Sequence, residues 1–371
     1  MAERPKAVLQ ATRAGTLIEV LARRGYQVIG PTVRDGAIVY DLLGSGAELP
    51  AGVGDEQQPG CYRLRRRDDD ALFGYALGPY AWKRFLHPAE VRLFSAARQD
   101  SSFRVLEEPE KTPPRYAFLG VRPCELAAIE IQDRVLLGEG LRDAVYQARR
   151  EDLFLVAVQC TEPAATCFCA SMETGPRARE GFDLALTELQ DSVGHRFLVE
   201  AGTERGSELL AELETAPASA EDEAAAEAAL SEAQRRQVRS MDRSGLPELL
   251  QRNLEHPRWE QTAERCLCCA NCTMVCPTCF CTTVEDRTDV ARNRAERWRR
   301  WDSCLTLSFS YIHGGSVRAS AKARYRQWLT HKLSSWVDQF GRLGCVGCGR
   351  CIAWCPAGID LTEEVRAIRG S

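Results

Sequence analysis

The sequence predicts an α+β protein, with an N-terminal α/β-type domain followed by a mostly helical C-terminal one. Three observations carry that expectation. Two short apolar runs, Tyr116–Val121 and Leu153–Val158, suit strands covered on both faces. Between them, Leu126, Ile129 and Val135 recur at helical spacing, which makes a βαβ-like unit. Beyond Pro247 the chain is dominated by helix formers.

The remaining elements follow in order. Ala11–Arg24 has helical spacing through Leu17, Val20 and Leu21, and Tyr26–Val28 and Ala37–Leu43 read as short strands between turns. Residues 61–100 carry Arg65-Arg66-Arg67-Asp68-Asp69-Asp70 and then a Gly-, Pro- and aromatic-rich segment. Residues 206–240 are rich in Ala and Glu and read as an exposed helix or mobile linker. The expected organisation is therefore an α/β domain over residues 1–205, a helical linker over 206–245 and a helical domain over 246–371.

Hydrophobic residues make up 44% of the 371 and charged residues 27%, so the chain has an ordinary globular balance and can bury a core. A net charge of −4 leaves no basic excess to neutralise phosphates, so no nucleic-acid partner is expected. No apolar run is long enough to cross a bilayer and the start is polar, so a cytoplasmic protein without a membrane span is expected. Neither G-x-G-x-x-G nor G-x-x-x-x-G-K-[ST] occurs, which argues against hydride chemistry by this chain alone.

Cysteine is the informative residue. Seventeen are present, five of them before residue 170 and twelve in the last 106 residues. In a chain with no secretory signal this density reads as metal or redox chemistry. Cys266-x2-Cys269-x2-Cys272-x3-Cys276-Pro277 and Cys345-x2-Cys348-x2-Cys351-x3-Cys355-Pro356 both have the bacterial [4Fe–4S] spacing. Two-residue gaps let a tight loop wrap three corners of a cube. In two-cluster proteins the fourth cysteine of each run serves the other cluster. The expected sets are Cys266, Cys269, Cys272 and Cys355 for one cluster, and Cys345, Cys348, Cys351 and Cys276 for the second. Zinc is the competing reading, but zinc takes two pairs, whereas each run here offers four thiols by itself. The 68 residues between the runs look helical over Val290–Trp301 and Val317–Phe340, which favours an α-helical ferredoxin domain.

Four N-terminal cysteines form a further candidate set. Cys124 directly follows one expected strand, Cys160 follows the other, and Cys167 and Cys169 lie in the next loop. If the strands are parallel, their ends share one sheet edge, the usual binding edge of an open α/β sheet. A third [4Fe–4S] site of Cys124, Cys160, Cys167 and Cys169 is expected, against the alternative of four buried free thiols. Thr166-Cys167-Phe168-Cys169 is echoed by Thr278-Cys279-Phe280-Cys281. Cys268, Cys279, Cys281 and Cys304 are left open as supporting thiols, alternative ligands or part of another site, and Cys61 as a plain thiol.

His87, His195, His256, His313 and His331 form no spaced metal pair and read as packing or surface residues. Arg292, Arg294, Arg297, Arg299 and Arg300, with Trp298 and Trp301, read either as a solvated helix face or as a docking surface for an acidic partner.

Phe118-Leu119-Gly120-Val121-Arg122-Pro123-Cys124-Glu125-Leu126-Ala127-Ala128-Ile129, Cys276-Pro277-Thr278-Cys279-Phe280-Cys281, Trp301-Asp302-Ser303-Cys304 and Gly347-Cys348-Gly349-Arg350-Cys351 carry a family likeness. The sequence resembles the 4Fe–4S dicluster family that includes the beta subunit of NAD(P)-linked NiFe hydrogenases (sulfhydrogenases) and the corresponding iron–sulfur component of anaerobic sulfite reductase. The likeness is specific over residues 116–176 and 260–360. It implies a non-catalytic iron–sulfur electron-transfer subunit. Its partners would be a flavin- and NAD(P)-binding subunit and NiFe hydrogenase subunits or, in the alternative, a sirohaem sulfite reductase subunit. A zinc-stabilised scaffold remains the reading from a different class.

Overall fold

The computed structural model describes residues 4–370 apart from residues 77, 101, 107–112, 139, 141 and 292. Its N-terminal part is built on an eight-stranded mixed sheet. In spatial order the strands are Ala216–Pro217, Lys6–Gln10, Gly194–Ala201, Leu184–Asp191, Phe154–Val158, Tyr116–Val121, Gln27–Arg34 and Ala37–Leu42. The central strands Gln27–Arg34, Tyr116–Val121, Phe154–Val158 and Leu184–Asp191 run parallel, and the flanking pairs are antiparallel. The expected strand–helix–strand unit is present, with helix Pro123–Leu136 as its crossover.

Alternation along these strands explains why both faces are covered. Leu119, Val156 and Leu186 point to one side, into a core with Leu17 and Leu21 of helix Ala14–Arg23 and with Leu209. Phe118, Leu155 and Ala185 point to the other, against Leu126 and Ile129 of the crossover helix and Trp82. Because Tyr116–Val121 and Phe154–Val158 are parallel neighbours, the chain leaves both at one sheet edge, just before Cys124 and Cys160.

The Ala/Glu-rich stretch is helical, but it is neither mobile nor simply exposed. Helix Glu204–Glu212 buries Leu209 and Leu210. Helix Ala220–Arg235 starts with a Ser219–Asp222 capping box and lays Ala226 on Leu189 and Leu198 of the sheet. Small alanines let it lie close, and its glutamates face outward. Asp222 also pairs with the buried Arg196 at 2.7 Å.

The second departure lies between the two cysteine runs. Arg294–Trp301 is a strand, not a helix, and pairs with Thr282–Thr288. The hairpin joins Glu90–Gln99 and Ser102–Leu106 in a four-stranded antiparallel sheet, so the region after Pro247 is interrupted by β structure. Short-range periodicity missed this because the partner strand lies some two hundred residues upstream. Cross-strand charge explains the arginines: Arg297 bonds Asp286 at 2.7 Å, Arg300 reaches Glu285 at 2.6 Å, and Arg299 pairs with Asp143. Arg292 lies outside the described residues. Helical structure holds over Ala321–Thr330 and Trp336–Phe340, joined by a π-helical turn at His331–Ser335. These pack with helices Leu246–Arg252, Arg258–Arg265 and Leu361–Arg369 around Trp259, Leu329 and Ile352. Among the described residues, no helix is long and apolar enough to cross a membrane.

The two parts interlock. Phe168 N donates to Gly347 O at 2.9 Å, and Gly60 N donates to Ile352 O at 3.0 Å. Arg350 and Glu125, both essentially without solvent exposure, form an ion pair at 2.7 Å across the junction. Glu125 also accepts from Tyr40 Oη at 2.6 Å and Trp82 Nε1 at 3.0 Å, and Arg350 Nε donates to Gly78 O at 2.8 Å. The pair is therefore satisfied on both sides, the condition under which a buried ion pair is tolerated.

Candidate metal centres

The thiols fall into three adjoining groups. Cys266, Cys269, Cys272 and Cys355 line one apolar cavity with Leu267, Ala270, Leu305, Tyr325, Trp328 and Ile359, and Cys351 lies on its wall. The loop that wraps it is tight enough to force Cys268 and Ala270 to φ values of 48° and 66°. Left-handed backbone is costly for L-residues, so strain is concentrated at this loop. Cys269 is exposed and Leu267 is 68% exposed, so this group reaches the surface.

The second group is deeper. Burial, then the neighbouring thiols of Cys345, Cys348 and Cys276, pushes the Cys351 thiol well up. Burial also pushes Cys345 up to about 12, with the Lys332 ammonium working against it. Gly347 N points at Cys345 Sγ at 3.5 Å, so a backbone amide faces sulfur within the loop. Cys276 behaves oppositely: a hydrogen bond from Cys279, then the Lys332 ammonium and the Thr278 hydroxyl, hold it well below the usual thiol range against burial.

The third group is N-terminal. Cys124, Cys160, Cys167 and Cys169 line one cavity with Ala76, Arg122, Pro123, Pro163, Gly175 and Pro176. All four thiols are buried. Burial, then the thiols of Cys169 and Cys348, pushes Cys124 well up, which puts this group beside the second. Cys167 Sγ faces Cys348 O at 3.9 Å, and Gln237 Nε2 donates to Cys169 Sγ at 3.4 Å. The seam depends on glycine. At Gly347, φ is +65° and a Cβ would lie 2.7 Å from the Cα and N of Cys169.

Among the described residues, no three Cys, His, Asp or Glu side chains converge as ligands of one ion. A [4Fe–4S] cube is held differently, by four thiolates on four separate irons, so its donors ring a cavity and do not meet at a point. Charge supplies a second test of fit. Arg122 is 1% exposed; it donates to Gln159 O, Phe73 O and Tyr75 O, and its Nε has no partner among the described residues. Lys332 is 3% exposed and Lys83 6%, and neither has a carboxylate ion-pair partner among the described residues. Buried cations beside thiol-lined cavities suit an anionic group in those cavities. The raised thiol pKa values mean that loading would release protons.

Arg122, Lys83, Lys332, Gln237 and the Arg350–Glu125 pair were not singled out by sequence reasoning. Arg122, Glu125 and Arg350 do lie inside the family-like segments, which was the available signal; Lys332 carries none. Among the unassigned thiols, Cys279 neighbours Cys276, and Cys281 neighbours Cys304, whose hydrogen bond holds the Cys281 thiol down to about 7. Cys61 faces Gln58 at the end of a hairpin. His195 pairs with Glu188 at 2.8 Å, and His87 is buried against Trp301, so both are structural histidines.

A family model described as a 4Fe–4S dicluster domain matches residues 265–359, the segment holding both cysteine runs. With the cavities above, this defines the class: an iron–sulfur protein that carries [4Fe–4S] clusters. Sulfhydrogenase 2 subunit beta of Pyrococcus furiosus is 33% identical over 258 residues, covering 69% of this chain and 74% of that one. The chain belongs to the 4Fe–4S dicluster family that includes the sulfhydrogenase beta subunits, and is an iron–sulfur electron-transfer subunit. No solved structure matches.

Proposed function

We propose that this chain is the relay subunit of a cytoplasmic NiFe hydrogenase complex, passing electrons between a flavin- and NAD(P)-binding subunit and the NiFe catalytic module. The observation that carries the reading is the continuity of the three thiol groups. Cys351 lies on the wall of the first cavity and neighbours Cys345 and Cys348, and Cys348 neighbours Cys124. We assign Cys266, Cys269, Cys272 and Cys355 to one cluster, Cys276, Cys345, Cys348 and Cys351 to a second, and Cys124, Cys160, Cys167 and Cys169 to a third. When bound, each cube supplies a one-electron carrier. The residues around them bury the thiolates, compensate their charge through Arg122 and Lys332, and hold the two parts of the chain in register through Arg350 and Glu125. The third cluster belongs to the domain over residues 1–205 and the other two to the domain over 246–371. The named function of the Pyrococcus relative supports the hydrogenase assignment.

Purification of the native complex tests this. NiFe hydrogenase subunits and a flavoprotein are expected to co-purify with a brown chain bleached by dithionite. A sirohaem subunit in their place would move the same relay into sulfite reduction. A colourless zinc-containing chain would overturn the reading.

A further inference from the structure

The three thiol groups differ in the charge that faces them. The first cavity is lined by Leu267, Leu305, Tyr325 and Trp328, with no cation on its wall among the described residues. The second group has an ammonium bonded directly to a sulfur. Lys332 Nζ donates to Cys276 Sγ at 3.3 Å, to Thr278 Oγ1 at 2.9 Å and to Gly344 O at 3.1 Å.

This contact is built into the fold. Lys332 lies in the one π-helical turn among the described residues, His331–Ser335, inside an otherwise α-helical run. Such turns re-aim a side chain at some cost to the helix and recur at functional sites. Gly344 N donates back to Lys332 O at 2.8 Å, and Thr278 Oγ1 donates to Gly344 O at 2.6 Å. The amine is thereby fixed at Cys276 and beside the residue that precedes Cys345. A buried ammonium without a carboxylate partner is costly unless another anion compensates it, and the nearest candidates are the sulfurs of the second group.

We propose that Lys332 is a positioning residue of the relay, whose fixed positive charge and hydrogen bond to Cys276 raise the reduction potential of the cluster on Cys276, Cys345, Cys348 and Cys351. The inference rests on the assignment of Cys276 made above. Reduction adds one negative charge to a cube already bearing four thiolates. A fixed cation at a ligand sulfur stabilises the reduced form more than the oxidised one, and hydrogen bonds to sulfur act in the same direction. The second cluster therefore draws electrons inward from the first, whose cavity lacks such a charge. Lys83 is the internal comparison: its amine bonds the Cys279 carbonyl at 3.0 Å and sits 4.0 Å over the Trp301 ring, with no hydrogen bond to a sulfur.

The test is an EPR-monitored redox titration of the purified complex, with iron measured on each sample. In Lys332→Met one midpoint is expected to fall by at least a tenfold change in the reduction equilibrium, about 59 mV for a one-electron couple. The other midpoints and the iron content stay as they were, Lys332→Arg restores most of the shift, and Lys83→Met gives a smaller one. Full iron with every midpoint unchanged in Lys332→Met would overturn the inference. If Lys332→Met loses iron, Thr278→Val, which frees the amine on one side, is read instead: a smaller fall in the same midpoint supports the role, and no change contradicts it. Cys276→Ser separates this from the ligand assignment. A full set of clusters with native signals in that variant would remove Cys276 as a ligand, whatever Lys332 does.

Discussion

The N-terminal cavity and the cavity at the first C-terminal run offer the same donors in opposite settings. Around Cys124, Cys160, Cys167 and Cys169 every thiol is buried, and the only charge on the wall is the cation Arg122. Around Cys266, Cys269, Cys272 and Cys355 the wall is uncharged and Cys269 reaches solvent. The difference teaches that donor type does not decide role; burial and charge do. A shallow, uncharged site suits exchange with a partner, and a sealed, compensated site suits storage and onward passage.

Substitutions can break this comparison, beginning with the largest effect. Cys160→Ser is expected to remove about four irons per chain, one cube's worth, and to leave the signals of the other two clusters in place. Cys351→Ser is expected to disturb both C-terminal clusters, because that thiol faces both groups. Iron analysis with EPR reads each, and a Cys160→Ser protein with unchanged iron would leave the N-terminal cavity as a plain thiol nest. Arg350→Met comes next. It strands Glu125 inside the junction, and unfolding free energy should drop by about 3–5 kcal/mol, read by chemical denaturation.

Gly347→Ala sharpens the comparison at the seam between the N-terminal and second groups. The added Cβ must displace Cys169 backbone and the residue must keep a left-handed φ. A loss of about 1–3 kcal/mol is expected, together with a changed magnetic coupling between clusters. Arg297→Ala, on the exposed hairpin, is the smallest: its ion pair with Asp286 is solvated, so the melting temperature should not move.

The sequence was most legible where chemistry is local. Cysteine spacing alone proposed the two C-terminal sets, and the apolar runs ending just before Cys124 and Cys160 proposed the βαβ unit. It was least legible where a partner lies far along the chain. Arg294–Trp301 becomes a strand because Glu90–Gln99 is there to pair with it, and its arginine and tryptophan content carried no reliable period. The Ala/Glu-rich segment looked detached because a helix that buries only alanines and one leucine shows little amphipathic signal, yet it packs on the sheet. Lys332 was invisible for a related reason. A lysine in a helical run reads as surface, and only the π turn brings it onto Cys276.

Three clusters in one continuous path are tested most directly by total iron with spin quantitation of the dithionite-reduced protein. About twelve irons per chain and three mutually coupled paramagnetic centres are expected. About eight irons and two centres, with Cys124, Cys160, Cys167 and Cys169 free to react with a thiol reagent on unfolding, would contradict it.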